Sequence, residues 1–182
     1  MTKQIIFIVL LGLCILSCKQ KNSPEAIIET KIAESVDQDL AARLYSNYTV
    51  DPQTQAQEDE NLIIEYLVKR NLDMKRFPNG LYYNVIKKGV GPNYVQNQDA
   101  VADYRGFFLT GKIFDSSFSK GKPIEFKVGQ MIDGWNQVQK TLNPGSEVTI
   151  MVPSYLAYGD KGFPGFVPAN TVIAFDIYFK QP

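Results

Sequence analysis

Apolar positions along the chain change their period twice, and the changes divide it into three parts. Ile5 to Leu16 is an apolar run behind Lys3, shorter than the ~20 residues a membrane-spanning helix needs. After a polar tether, Ile28, Ile32, Val36, Leu40 and Leu44 recur every four residues, the stripe of an amphipathic helix. Ser23-Pro24-Glu25 supplies its start, with Ser as cap and Pro in the first turn. Asn47 to Pro52 interrupts the stripe, and a second helix is expected from about Gln55 to Asn71. Leu62, Ile63, Tyr66 and Leu67 form its apolar side; Glu58, Asp59, Glu60, Glu65, Lys69 and Arg70 form the other.

Past the turn Phe77-Pro78-Asn79-Gly80 the period drops to two. Leu81–Lys87, Val101–Leu109, Ile124–Val128, Val148–Val152 and Val172–Phe179 all read as strands. In the second of these, Ala102, Tyr104, Gly106 and Phe108 share one face. One short helix interrupts them, with Asp133 as its expected cap, Trp135, Val138 and Leu142 inside, and Pro144-Gly145 as its stop. The pattern predicts an α+β fold, an antiparallel sheet around a short helix, preceded by a helical N-terminal segment. The expected parts are a signal segment (1–17), a tether with two helices (18–78) and a sheet domain (79–182). The helices either pack on each other or on the sheet domain, or serve as an arm for a homodimer.

Composition narrows the chemistry. With 19 basic and 19 acidic residues there is no field to recruit nucleic acid, and the absence of His removes His-based metal sites and general bases. Ser116-Ser117 have no base near them in sequence, so no nucleophile is read there, and no cofactor or metal is called for. The run Ile15-Leu16-Ser17-Cys18 resembles a bacterial lipoprotein signal, in which Cys18 becomes the acylated first residue; an ordinary secretory signal or an uncleaved anchor is the alternative. Cys14 would leave with the signal, so the mature chain would keep no free thiol and would need a core sufficient without disulfides. Lys19 follows the cysteine rather than an acidic residue, which points to the outer membrane, facing the periplasm, with the chain held in the cell envelope by its lipid.

The sheet domain carries Val101-Ala102-Asp103-Tyr104-Arg105-Gly106, Gly111-Lys112-Ile113-Phe114-Asp115-Ser116-Ser117, Pro123, Ile132-Asp133-Gly134-Trp135, Leu156-Ala157-Tyr158-Gly159, Pro168-Ala169-Asn170 and Phe175-Asp176. In order and separation these resemble the FK506-binding type of peptidyl-prolyl cis–trans isomerase. The resemblance implies a half-barrel sheet wrapped over a short helix whose start, at Trp135, floors an active cleft. It implies a site made of Tyr104, Phe114, Asp115, Ile132, Trp135, Tyr158 and Phe175, with Ile124, Phe126, Met131, Phe163, Phe166 and Val167 lining the substrate. Three positions depart from the family's usual pattern. Gly129–Trp135 is about two residues short, Lys120 stands where Arg is common, and Phe163 stands where some members have His.

Such a site needs no nucleophile. Amide resonance makes the barrier to rotation about 18–20 kcal/mol, and X–Pro bonds are the natural substrate because cis and trans lie within about 1 kcal/mol. Water favours the planar, polar amide over the twisted one, so an apolar cleft that excludes water favours the twisted state. A reduction of about 4 kcal/mol yields roughly a thousandfold acceleration. On this reading Trp135 lies under the proline ring, Tyr158 hydroxyl and Ile132 N–H donate to substrate carbonyls, and Phe163–Val167 forms a flap. Lys120 and Arg105 read as solvated surface. The partners are proline-containing exported proteins. The competing readings are a proline-peptide binding module or chaperone, and a structural lipoprotein of an envelope or gliding-motility machine.

Overall fold

The computed structural model describes residues 37–181, all within one compact unit. The signal segment, Cys18, Ser23 and the first half of the amphipathic stripe lie outside the described residues. Helix α1 is Gln38–Tyr45, and the Asp37 carboxylate caps it by accepting from Asp39 and Leu40 N–H. Helix α2, Gln55–Lys69, starts at Thr54, whose side chain accepts from Gln57 N–H.

Strands β1 (Lys75–Arg76), β2 (Tyr82–Lys87), β3 (Asp99–Phe108), β4 (Ile113–Ser116), β5 (Ile124–Lys127), β6 (Glu147–Val152) and β7 (Ile173–Phe179) form one antiparallel sheet. Its order is β1-β2-β6-β7-β3-β4. Strand β5 joins the same edge of β3 as β4: β4 pairs with Arg105–Phe107 and β5 with Asp99–Ala102. Helix α3 (Ser117–Lys120) links β4 to β5, and α4 (Asp133–Gln139) links β5 to β6. The turn at Phe77–Gly80 joins β1 to β2 within this sheet.

Both faces of the sheet are covered. On one, α4 buries Trp135 and Val138 against Val148, Ile150 and Val152 of β6 and Ile173, Phe175 and Ile177 of β7. On the other, the intervening residues Met151 and Ala174, with Tyr82 and Val172, pack against Leu40 and Leu44 of α1 and Ile63, Ile64 and Leu67 of α2. The described parts of the two helices therefore pack on each other and on the sheet. The strands alternate between two cores, which is why β6 and β7 carry apolar residues in both phases.

Two local expectations need correcting. Asp133 is exposed in the first turn of α4, and the cap position is Ile132, with no side-chain cap bond. Instead Asn136 reaches back, accepting from Met131 N–H (3.1 Å) and donating to Met131 C=O (2.5 Å), which fixes the turn into the helix. On α2 the buried side is rotated from that expected. Ile64 and Asp59 are fully buried while Leu62 is 48 % exposed, because Asp59 and Asn61 find specific partners inside. Asn61 bonds both N–H and C=O of Thr49.

Candidate active site

The site is built from the residues that face α4. Trp135 stands at its centre with Tyr104, Phe126, Phe175 and Phe179 around it. Ring centroids lie 5.4–6.3 Å away and every ring is edge-on, at interplanar angles of 74–88°. Such edge-to-face pairs are worth about 0.5–1.5 kcal/mol each beyond burial. Gly106 makes the outer layer possible. A Cβ there would lie 2.7 Å from the Phe114 ring and 2.8 Å from that of Phe175, so the two rings, 5.7 Å apart, close over bare backbone.

The indole is 1 % exposed, with Tyr104, Phe175 and Val167 also buried. Sequence reading made Trp135 an open floor; here it is a buttress beneath the walls. Ile124, Phe126, Met131, Ile132, Phe114 and Tyr158, all half-buried, pack on the core that contains it and present the surface above. A concavity of about 470 Å³ is formed by the flap itself, lined by Lys161 and Pro164 to Ala169 and hence by Phe166 and Val167, and by none of these six residues. Trp135 does not line it.

The flap is a tight turn. Phe166 N–H bonds Phe163 C=O at 2.9 Å, Phe163 and Val167 pair in both directions at 2.8 Å, and Gly165 takes φ 82°. Pro164 followed by a glycine of positive φ is the signature of a type II turn. It stacks Phe163 on Tyr158 (5.3 Å, 14°) and Phe166 on Phe163 (4.9 Å, 21°). Phe163 and Phe166 are exposed, so this three-ring ladder faces solvent.

One wall is polar. The Tyr104 hydroxyl donates to Asp115 Oδ2 (2.6 Å), Ser116 N–H donates to Oδ1 (2.8 Å), and Lys120 Nζ pairs with Oδ1 (2.6 Å) while donating to Tyr104 Oη (3.2 Å). Burial pushes the Asp115 carboxyl up, but Lys120, Tyr104 and Ser116 N–H together hold it below the usual carboxylate range. The Tyr104 hydroxyl is pushed up by burial and by Asp115. Asp115 holds Lys120 protonated to higher pH.

Lys120 is therefore no solvated bystander. Its spacing from Asp115 spans the single turn of α3, ended by Gly121 in the left-handed region. Arg105, also read as surface, pairs with Asp176 at 2.7 Å on the face away from the site. Ser117, in which the sequence shows no nucleophile, has a structural role: it accepts from Tyr104 N–H (3.0 Å) and donates to Asp103 (2.8 Å), anchoring α3 to β3.

Two donors remain. Among the described residues neither Ile132 N–H nor the Tyr158 hydroxyl has a hydrogen-bond partner. Burial, then the nearby Asp115 charge, push the Tyr158 hydroxyl up, so it is a neutral donor at ordinary pH.

Comparison with known proteins agrees with this architecture. The family model of FKBP-type peptidyl-prolyl cis-trans isomerase matches residues 91–180. FK506-binding protein 1 of Debaryomyces hansenii is 38 % identical over 96 residues, covering 51 % of this chain and 86 % of that protein. The chain belongs to the FKBP-type peptidyl-prolyl cis–trans isomerase family. FkpA of Escherichia coli K12, named an isomerase of this type, is 31 % identical over 146 residues, covering 79 % of this chain and 54 % of FkpA. The chain thus spans about half the length of such bacterial relatives. Among solved structures, that of AtFKBP13 superposes with TM-score 0.57 at 34 % identity, over 60 % of this chain and 98 % of that one. The FKBP fold, with its open antiparallel sheet on one helix, is the fold of this family member.

Proposed function

We propose that the chain is a peptidyl-prolyl cis–trans isomerase that turns X–Pro bonds in exported proteins. One observation carries this reading. Two donors without partners, Ile132 N–H and Tyr158 Oη, belong to the apolar surface that Phe126, Met131 and Phe114 build over one buried indole. A prolyl peptide laid on that surface loses the water that stabilises its planar amide. As the bond twists, its carbonyl stays anchored by the donors while the proline ring turns against the apolar wall. The Tyr104–Asp115–Lys120 network keeps the polar wall rigid, since each member is already bonded. The Phe163–Val167 flap, with its exposed rings, covers the peptide flanking the proline.

A protease-coupled assay of the full chain on a Leu-Pro tetrapeptide tests this. Acceleration that FK506 competes away is expected; a chain with no effect on the cis-to-trans rate rules the reading out.

We further propose a lipid on Cys18 and residence at the outer membrane, facing the periplasm. Support comes from the Ile15-Leu16-Ser17-Cys18 run and from Lys19. Acyl chains on one cysteine suffice for attachment, at about 0.8 kcal/mol per buried methylene. Metabolic labelling with radioactive palmitate should mark the chain and spare a Cys18→Ser variant. A homodimer, the remaining proposal for the helices, would have to form outside the stripe that α1 and α2 bury on the sheet. Light scattering of the full chain reads it.

A further inference from the structure

We infer that Asp59, on the helix α2 that precedes the FKBP sheet, is a positioning residue for the isomerase site, acting through Ser154 on the turn that presents Tyr158. The inference rests on the isomerase reading above.

Asp59 is fully buried, so protein groups must satisfy its side chain. Its Oδ2 accepts both Ser154 N–H (2.7 Å) and the Ser154 hydroxyl (2.6 Å), and its Oδ1 accepts Gln55 Nε2 (2.8 Å). A buried carboxylate given three short donors is bound by them, and removing it leaves the Ser154 N–H unpaired in the interior. Ser154 is also buried, and it opens the short 3-10 turn Ser154–Leu156. Leu156 N–H bonds Pro153 C=O and Ala157 N–H bonds Ser154 C=O, both at 3.0 Å, so the turn is wound from Ser154 straight to the residue before Tyr158. The next turn closes from Tyr158 itself, whose C=O accepts Gly162 N–H at 3.1 Å. Displacing Ser154 therefore displaces the Tyr158 ring and the Phe163 ring stacked on it.

The same turn reaches the Trp135 helix by a second route. Tyr155 hydroxyl donates to Asn79 C=O (2.5 Å), and Asn79 Nδ2 donates to Gln137 of α4 (2.7 Å). No apolar contact would fix the rotation of this turn as two bonds from one carboxylate oxygen do. That is a reason to keep a polar side chain in the interior at the cost of desolvating it.

The test measures kcat/KM, kcat and KM on a prolyl tetrapeptide with the full chain, alongside thermal unfolding. Asp59→Ala should lower kcat/KM about tenfold or more at temperatures where it is folded. Asp59→Asn should restore most of the loss, because its amide oxygen still accepts from Ser154. Ser154→Ala, which keeps the N–H and loses only the hydroxyl, should fall between them and serves if Asp59→Ala does not fold. A double-mutant cycle with Tyr158→Phe separates positioning from mere stability. If Asp59 works through Tyr158, its substitution costs little more once the hydroxyl is gone. With an active wild-type chain, full activity in Asp59→Ala and Ser154→Ala, or losses that multiply with that of Tyr158→Phe, would overturn the inference alone. A wild-type chain without isomerase activity overturns the isomerase reading and this inference with it.

Discussion

The two faces of the sheet bury side chains equally well but finish their polar accounts differently. On the α1–α2 face Ile63, Ile64 and Leu67 are sealed, and the buried polar groups Asp59 and Asn61 have partners at 2.6–2.9 Å. Tyr82 donates to Glu60, which Arg76 grips with two nitrogens at 2.5 and 2.9 Å. On the α4 face the rings are as closely packed, yet Trp135 Nε1 and the whole Gln139 carboxamide are buried without a partner among the described residues. Tyr158 Oη and Ile132 N–H are also unpaired there. Buried polar groups are nearly always bonded, so incompleteness gathered on one face separates the side that does chemistry from the side that supports it.

The sharpest way to break this contrast is to cut one large side chain from each face. Trp135→Ala should lose about 3–5 kcal/mol in urea unfolding, and Ile64→Ala about 2–5 kcal/mol. Below both melting transitions, kcat/KM should collapse in Trp135→Ala and survive in Ile64→Ala. Equal activity losses would erase the distinction.

A finer comparison removes one hydroxyl from each side. Tyr158→Phe should lower kcat/KM roughly 5- to 30-fold, the worth of about 1–2 kcal/mol in one transition-state hydrogen bond, with stability nearly unchanged. Tyr82→Phe deletes a donor to Glu60 and should lower stability by about 1 kcal/mol while leaving catalysis alone. The reverse pattern would place the reacting surface on the wrong face.

The smallest effect is electrostatic and belongs to the β3–β4 edge. Lys180, helped by Ser117, holds Asp103 below the usual carboxylate range against burial, as the network around Asp115 does for that residue. A carboxyl whose folded pKa is depressed contributes stability above its unfolded value of about 4, lost as pH falls through the folded value. Unfolding free energy should therefore decline below about pH 4, by ~1 kcal/mol or less from each group, since both touch solvent. Asp115→Asn should flatten that decline; an unchanged slope in urea melts between pH 4 and 2 would show the network adds nothing to stability.

Much of this was legible in the chain itself. Alternation in Ile124–Val128 and Val148–Val152 marked strands, and the separation of Tyr104, Asp115, Trp135 and Tyr158 marked the family, because period and spacing are local properties that survive in one dimension. The burial of Trp135 was not legible: whether an indole is floor or buttress depends on where Phe126, nine residues before it, and Phe175, 40 residues after it, come to rest. Nor was Lys120, whose charge reads as solvent until the α3 turn swings it back to Asp115.

Sequence alone determined five of the seven strands, the one inner helix and the aromatic inventory, since hydrophobic periodicity is imposed residue by residue; the short strands β1 and β4 carry too few residues to show a period. Only the tertiary structure decided that both faces of β6 and β7 are core, and that a carboxylate on a helix ahead of the sheet holds Ser154. Polar residues buried by long-range partners look, in a sequence, the same as polar residues facing water; Asp59 finds its partner 95 positions away.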